Sequence, residues 1–315
     1  MKKYFFLFLG LFFESICFCQ TGNVWSTTDD FGAGQRERAV GFSLRGRGYV
    51  SCGVDTADQV RNDLWQYDPA SASWTQKASL PGDARRNAVS FVINDYAYVG
   101  GGMDHAEAPM GDPLDDFWKY DPIGNTWSSI ADYPEEVYFA TAFSIDGKGY
   151  VCGGKKGPDT YSDKLYEYKP SANQWGARAS FPGGPRFQLT SVVGGNKVYI
   201  GLGTDEDIHR RDWWEYHPGS NTWNQKGDFP NTGRANVITF TINNRPYVGL
   251  GSDGGYKKDL WEYIPSNDTW ITRRNFPAAG RKNATCFVIS NRAHVGLGSA
   301  STGKKRSFYI YVPYN

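Results

Sequence analysis

The chain has 315 residues, of which 40% are hydrophobic and 16% aromatic, and its 34 Lys and Arg face 33 Asp and Glu. The resulting formal net charge of +1 provides no electrostatic footprint for nucleic acid or for an anionic membrane surface. We therefore expect neither of these partners.

The N-terminus has the order of a secretory signal. Lys2 and Lys3 precede an apolar run over residues 4–13, and a short polar stretch then leads to Cys19. The run is about 10 residues long, whereas a transmembrane helix needs roughly 20. We predict cleavage after Cys19, which assigns residues 1–19 to the signal and residues 20–315 to a periplasmic or secreted protein. A lipid-modified cysteine is the alternative.

A unit of about 48 residues recurs six times along the rest of the chain. Its first half ends in an aromatic-aliphatic-glycine step, seen first at residues 49–53 and last at residues 294–298. Its second half reads Asp-aromatic-aromatic-x-Tyr-x-Pro, as at residues 212–218, and a Trp follows the Tyr by seven residues. The pairs are Tyr67 with Trp74, Tyr120 with Trp127, Tyr168 with Trp175, Tyr216 with Trp223, and Tyr263 with Trp270.

Each unit holds short alternating apolar stretches, such as residues 88–91, and turn pairs such as Asn94-Asp95, which indicate strands joined by hairpins. Four strands per unit at this period predict an all-β, six-bladed β-propeller. The sixth unit lacks its Trp strand, whereas Trp25 has no preceding partner. We predict that the N-terminal strand joins the last blade and closes the ring.

These residues resemble the kelch repeat family, whose marks are a glycine doublet after apolar residues and a Tyr and Trp at fixed separation. The resemblance covers residues 22–315 and implies one propeller domain, which we expect to be a monomer. Kelch propellers serve as enzymes, adaptors and carbohydrate binders, so the resemblance implies no single function. The galactose-oxidase-like superfamily includes copper-radical oxidases, but the His residues of this chain match no such copper site, and we expect no cofactor. These residues are His105, His209, His217 and His294.

Variable loops on one face of the propeller are the predicted binding surface. They cover residues 54–62, 103–115, 155–162, 204–211, 252–258 and 299–306. Beside them, five units carry an Arg before the innermost strand, at Arg36, Arg85, Arg186, Arg234 and Arg281, and Val137 is the exception. These cations could form a ring that holds an anionic ligand. We favour structural ion pairs with the Asp that opens the third strand, at Asp63, Asp116, Asp163, Asp212 and Asp259.

Two positions further on, the start of the inner strand is unusually polar. The six residues are Arg38, Asn87, Phe139, Gln188, Asn236 and Asn283. Amides suit sugar hydroxyls and an aromatic ring can stack on a sugar, so these six residues and Arg36 are the candidate ligand-binding residues. In kelch domains that bind acidic peptides the matching position carries arginines, whereas here Arg38 is the only arginine among the six residues. Simple solvation of these side chains is the alternative.

The resemblance also implies an enzymatic alternative, because kelch-fold sialic acid mutarotases interconvert sugar anomers with acid–base help. Such chemistry needs a carboxylate near the sugar and cations for the acid group of the substrate. Glu107 with His105, or Glu206 with His209, beside arginines such as Arg36 could supply that set. The same acidic loops match no known metal cage, and we expect no metal.

Three cysteines follow the predicted signal, at Cys52, Cys152 and Cys286, and an odd number cannot form a complete disulfide framework. We interpret them as packing thiols, with a disulfide between Cys52 and Cys286 as the alternative. The sequence thus predicts a secreted, non-catalytic propeller that holds a carbohydrate, peptide or protein on its loop-rich face. A sugar mutarotase or epimerase is the alternative function.

Overall fold

The structure is a computed structural model that describes residues 22–104, 111–206 and 208–314. Six four-stranded antiparallel sheets confirm the predicted all-β, six-bladed propeller. The inner strand of each sheet contacts the inner strands of both neighbouring sheets, so six inner strands enclose a central channel. The described part of the chain holds no helix long and apolar enough to cross a membrane. The predicted signal, residues 1–19, lies outside the described residues.

The strands of each blade are named a to d from the channel outward. They are Val40–Leu44, Arg47–Ser51, Leu64–Asp68 and Ser73–Lys77 in blade 1; Val89–Ile93, Tyr96–Gly100, Phe117–Asp121 and Thr126–Ser129 in blade 2; Thr141–Ile145, Lys148–Gly157, Thr160–Lys169 and Gln174–Ala177 in blade 3; Thr190–Gly194, Lys197–Gly201, Trp213–His217 and Thr222–Lys226 in blade 4; Ile238–Ile242, Arg245–Gly249, Leu260–Ile264 and Thr269–Arg273 in blade 5; and Thr285–Ile289, Arg292–Gly296, Phe308–Val312 and Val24–Thr28 in blade 6. Two short ladders, Arg36–Glu37 with Val54–Asp55 and Ser299–Ala300 with Gly303–Lys304, lie on the loop face.

The N-terminal strand closes the ring, as the sequence predicts. Val24–Thr28 pairs antiparallel with Phe308–Val312, and Trp25 lies opposite Tyr311 in the register of the other Tyr and Trp pairs. The Trp25 ring centroid lies 5.2 Å from that of Phe276 in blade 5. Blade 6 is therefore built from both ends of the described chain.

The second glycine of each glycine step has a φ between +79° and +107° in all six blades. At Gly203, an added Cβ would also lie 2.7 Å from the carbonyl oxygen of Phe187, which belongs to the segment before the inner strand. Positive φ and close backbone approach both require glycine. The step therefore brings the b–c loop against the start of the inner strand, where the candidate site lies.

In five of the six blades, an Asn or Asp two residues before the Trp fastens the blade to the preceding one. Asn125 Oδ1 accepts hydrogen bonds from the Tyr120 hydroxyl, at 2.9 Å, and from the backbone N–H of Ala78 in blade 1, at 3.0 Å. The Trp127 indole N–H donates to the carbonyl of the same Ala78, at 2.8 Å. Equivalent contacts are made by Asn173, Asn221, Asp268 and Asn23. The Tyr and Trp spacing of the repeat thus serves the joints between blades.

The three cysteines are free thiols in this structure. Burial raises the pKa of Cys52, of Cys152, and of Cys286, the last to about 12. Cys286 Sγ lies 3.1 Å from the carbonyl oxygen of Thr239 in blade 5. These thiols pack as small apolar side chains, and among the described residues no bond joins Cys52 to Cys286.

Candidate functional site

Four of the five arginines that precede the inner strands are buried and form ion pairs within their own blades. In blade 1, Arg36 is 2% exposed and donates to both carboxylate oxygens of Asp63, at 2.5 and 2.8 Å. Arg36 also donates to the carbonyl of Cys52 in the glycine step, at 3.2 Å. The interpretation of these arginines as structural is correct here, and Arg36 is not available at the channel opening as a ligand-binding residue. The other pairs are Arg85 with Asp116, Arg186 with Asp212, and Arg234 with Asp259.

The fifth Arg and the fifth Asp are not partners, because they belong to different blades. Arg281 in blade 6 meets Ser307, whose hydroxyl accepts a hydrogen bond from the Arg281 guanidinium at 2.8 Å. In blade 3 the Arg position is Val137, and Asp163 instead lies 3.3 Å from the exposed ammonium of Lys164. The expectation that each Arg has an Asp partner is therefore wrong for Arg281.

The polar residues at the start of the inner strands form a ring at the loop-face end of the channel, here called the mouth ring. All six have a φ between +54° and +58°. Four successive backbone hydrogen bonds of 2.8 to 3.2 Å link the ring from Asn283 through Arg38, Asn87 and Phe139 to Gln188. Asn tolerates this left-handed conformation best among the residues with a side chain, which accounts for three of the six identities. The positive φ does not favour Arg38, Phe139 or Gln188. Each of them carries backbone strain of order 1 kcal/mol or more, which points to another use of these side chains.

Five of the mouth-ring side chains line a cavity of about 130 Å³ at the centre of the ring: Asn87, Phe139, Gln188, Asn236 and Asn283. The sixth, Arg38, extends across the opening, and its guanidinium carbon lies 5.8 Å from the Phe139 ring centroid in blade 3. Below the ring lies the channel of about 500 Å³, lined mainly by small apolar and hydroxyl side chains such as Ser90, Thr239 and Ala142. The structure therefore brings the predicted ligand-binding residues together, Arg36 excepted.

A second tier of side chains surrounds the mouth ring, and the repeat pattern did not predict it. The residue before each ring residue forms an antiparallel bridge with the residue after each glycine step, and these six pairs are here called the upper tier. They are Glu37 with Val54, Arg86 with Met103, Tyr138 with Lys155, Phe187 with Thr204, Ala235 with Ser252, and Lys282 with Ser299. The residue that follows the glycine step varies from unit to unit, whereas the step itself does not. A comparison of that position across the six units would have revealed this series.

The upper tier of blades 3 and 4 surrounds a buried lysine with aromatic rings. The Lys155 ammonium lies 5.0 Å from the Phe187 ring centroid and 5.3 Å from that of Tyr161. Phe187 in turn lies 5.8 Å from Phe139 of the mouth ring, between ring centroids. This arrangement connects the mouth ring to the acidic loop of blade 4.

Glu206 is the alternative catalytic carboxylate that reaches the mouth. It is ion-paired with Lys155, and hydrogen bonds from Lys155 and Tyr161 hold its pKa below the usual range. His209 does not accompany it, because His209 lines a separate depression with Arg211 and Asp228. The other alternative pair, Glu107 and His105, lies outside the described residues. The neighbouring Asp205 is ion-paired with Arg210, so both described carboxylates of this loop are already held by cations.

Several buried polar atoms beside the mouth ring have no hydrogen-bond partner among the described residues. They are the Nε atoms of Arg38 and Arg86, the Nδ2 atom of Asn87 and the hydroxyl of Tyr138. Asn87 is 8% exposed and Tyr138 3%. Burial and the nearby Arg38 lower the pKa of Arg86, while burial and Glu206 raise that of Tyr138. The mouth thus gathers unsatisfied donors, cations and an aromatic ring in one place.

Comparison with known proteins found a matching family model and two kinds of relative. The Kelch motif model matches residues 84–132. Human Kelch-like protein 35 is 28% identical over 141 residues, which is 45% of this chain and 22% of that protein. The N-acetylneuraminate epimerase of Salmonella typhi is 33% identical over 84 residues, 26% of this chain and 21% of the epimerase. The chain thus spans about a fifth of the length of these relatives.

The solved structure of the protein YjhT superposes with a TM-score of 0.74 at 19% identity, covering 91% of this chain and 98% of YjhT. The fold and the mouth together define a closed propeller with a polar channel opening on its loop face. The matching motif, these relatives and the repeat residues support a kelch-repeat β-propeller family for this chain.

Proposed function

We propose that the mouth binds a small acidic carbohydrate, with the sugar carboxylate at Arg38 and Arg86 and the sugar ring against Phe139. The observation that carries the proposal is the cluster of four unpartnered polar atoms beside the mouth ring. Buried donors without partners are rare in proteins because each costs about 1–3 kcal/mol. A ligand that accepts their hydrogen bonds recovers that free energy.

The chemistry of the mouth favours an acidic sugar over a neutral one. Arginine guanidinium groups hold carboxylates through paired, charge-assisted hydrogen bonds. The amides of Asn87, Gln188 and Asn236 can both donate to and accept from hydroxyl groups. The cavity of about 130 Å³ is smaller than ordinary ligand pockets of about 300–1,000 Å³, so it would hold one end of the ligand. The similarity to a protein named N-acetylneuraminate epimerase supports the same class, because N-acetylneuraminate is a carboxylated sugar.

Calorimetric titration of the purified protein with N-acetylneuraminate, glucuronate and glucose tests the proposal. We expect binding of one or both acids and none of glucose. The Arg38→Ala variant should lose at least about tenfold in affinity, as expected when a charged hydrogen-bond partner is removed. Arg45→Ala is the matched control, since Arg45 is 48% exposed and pairs with Asp95 on the opposite face. Absence of binding by all three sugars would overturn the proposal and favour a peptide or protein ligand on the loop face.

A sugar epimerase or mutarotase is the second candidate, favoured by the position of Glu206. Glu206 is ion-paired with Lys155 of the upper tier, and its carboxylate is a group there that can accept the proton of an anomeric hydroxyl. We expect Glu206→Gln to lower catalysed anomer exchange, measured by NMR, by about 100-fold or more while sugar affinity changes little. An exchange rate equal to that of buffer in the unmodified protein would leave a binding protein only.

We also propose that the protein is exported by its N-terminal segment. The order of Lys2 and Lys3, an apolar run and Cys19 supports this. Cell fractionation followed by N-terminal sequencing tests it, and a mature protein that begins at Gln20 is the expected result. Retention of Met1 in the cytoplasmic fraction would refute it.

A further inference from the structure

We infer that a second sugar subsite flanks the mouth, so that the preferred ligand is an acidic oligosaccharide of two or more units. This inference rests on the proposed function, because it extends the same site. Its basis is a groove of about 600 Å³ on the loop face, between blades 5, 6 and 1. Arg38 lines this groove and also reaches across the mouth ring to Phe139, so the two spaces share one cation.

The floor of the groove holds an unpartnered buried hydroxyl. Ser299 is 8% exposed, and its Oγ has no hydrogen-bond partner among the described residues. Ser299 belongs to the upper tier, directly opposite Lys282. The groove therefore repeats, in blade 6, the combination of unsatisfied donor and cation found beside the mouth ring in blades 1 to 3.

The wall of the groove offers an aromatic face and an ammonium group. Tyr256 is 41% exposed, and the Lys282 ammonium lies 5.7 Å from its ring centroid. Among the described residues, Lys282 has no ion-pair partner, whereas the neighbouring Lys304 is held by Asp58 at 2.5 Å. Tyr256 can stack on a sugar ring while Lys282 meets an acid group or a hydroxyl of the same unit.

The remaining lining favours a sugar over an acidic peptide. Gln35, Thr56 and Ser301 contribute neutral amide and hydroxyl groups to the groove. Glu37 is also there, and its carboxylate accepts a hydrogen bond from Asn283 of the mouth ring at 3.1 Å. A linear acidic sugar would place its terminal carboxylate at the mouth and its next unit against Tyr256 and Lys282.

Titration of the purified protein with α2,8-linked oligomers of N-acetylneuraminate and with oligogalacturonates, each from one to three units, tests the inference. We expect affinity to rise at least tenfold from one unit to two in one of the series. Tyr256→Ala with Lys282→Ala should abolish that rise while affinity for the single sugar stays within about twofold. The matched control is Tyr96→Ala with Lys119→Ala, another tyrosine and lysine in contact, at 3.9 Å, in strands b and c of blade 2.

The outcomes separate the two proposals. Binding of the single sugar with no gain from a second unit would overturn the second subsite and leave the proposed function standing. No binding of any length would overturn both. Tighter binding of hexaglutamate than of any sugar, lost in the Tyr256 and Lys282 double variant, would assign the groove to an acidic peptide and overturn the oligosaccharide.

Discussion

The buried arginines illustrate how a charge is held inside a blade. Arg234 is fully buried, donates to Asp259 at 2.6 Å and lies 4.8 Å from the Phe229 ring centroid. Asp259 also accepts hydrogen bonds from the Trp261 indole and the Asn231 amide. Each charge is thus paired, which is the condition under which a buried ion is tolerated.

Removal of one member should therefore be costly. We expect Arg234→Ala to lower the free energy of unfolding by about 3–5 kcal/mol, because it leaves the Asp259 carboxylate without its cation. Arg281→Ala should cost less, about 1–3 kcal/mol, because Arg281 donates to Ser307 and to the Leu297 carbonyl and its loss leaves no carboxylate without a cation. Urea denaturation of the two variants provides the comparison. Equal losses would show that the ion pair is not the reason for the cost.

His294 is a buried titratable side chain in blade 6. It replaces the Tyr of the repeat, is 3% exposed, and stacks on Phe287 with 5.0 Å between ring centroids. Burial lowers its pKa to about 4 from the ordinary 6.5. Because the folded state disfavours the proton, the stabilising contribution is complete above pH 6.5 and is lost as the pH falls through about 4.

We expect the free energy of unfolding to decrease by up to about 3 kcal/mol over that range, from this residue alone. His294→Tyr should remove this component, since tyrosine does not titrate there and the adjacent cavity of about 350 Å³ has room for its hydroxyl. Thermal unfolding between pH 4 and 7 measures it, with the surface variant His209→Gln as the control. An unchanged pH profile in His294→Tyr would contradict the assignment.

At the scale of elements, the joint between blades 6 and 1 lacks the contacts that fasten the others. Ala72, with a φ of +51°, occupies the position of the fastening Asn. The buried Trp74 indole nitrogen has no partner among the described residues, whereas the equivalent Trp127 donates to Ala78. A hydrogen bond of 2.7 Å between Thr28 and the Tyr67 hydroxyl is the substitute.

Restoring the repeat residue at this joint should stabilise the protein. We expect Ala72→Asn to raise the free energy of unfolding by about 1–2 kcal/mol, because Asn tolerates the positive φ and supplies the missing acceptor. Asn125→Ala, the reverse change at a complete joint, should lower it by a similar amount. Chemical denaturation measures both variants. No gain from Ala72→Asn beside a clear loss from Asn125→Ala would show that Thr28 already replaces the fastening.

At the scale of the whole molecule, one strand holds the ring shut. Trp25→Ala should lower the free energy of unfolding by about 3–5 kcal/mol, because the indole packs on Phe276 and Tyr311 and donates to the Arg274 carbonyl at 2.8 Å. We further expect faster amide exchange in Phe308–Val312, which would lose its outer partner. Trp270→Ala is the control, since its blade is continuous in the chain. Unchanged exchange in that strand would mean that closure does not depend on the Trp.

The mouth belongs to the same scale, because its residues come from every blade. The Arg38 side chain reaches Phe139 two blades away, and Glu206 of blade 4 is ion-paired with Lys155 of blade 3. Closure of the ring also brings Arg38 of blade 1 beside Lys282 of blade 6 in one groove. Separation of blade 6 from blade 1 would therefore disturb the ligand site as well as the fold.

The sequence by itself determined the propeller, its six blades and its closing strand. The glycine step, the Tyr and Trp spacing and the unpaired Trp25 each act within one blade or between consecutive blades, so a repeat in the chain records them directly. The mouth-ring positions were predicted for the same reason, since they recur at one place in every unit. Their asparagines, however, reflect a positive φ that the pattern did not reveal.

Only the tertiary structure decided which of these residues face a ligand. It showed that Arg36 is buried against Asp63, that Arg281 has no carboxylate, and that Glu206 and His209 lie apart. It also revealed the upper tier and the groove, whose members, such as Arg38 and Lys282, lie in the first and last units. The physical reason is that side-chain partners across a closed ring are set by packing and rotamer, and those have no period in the sequence.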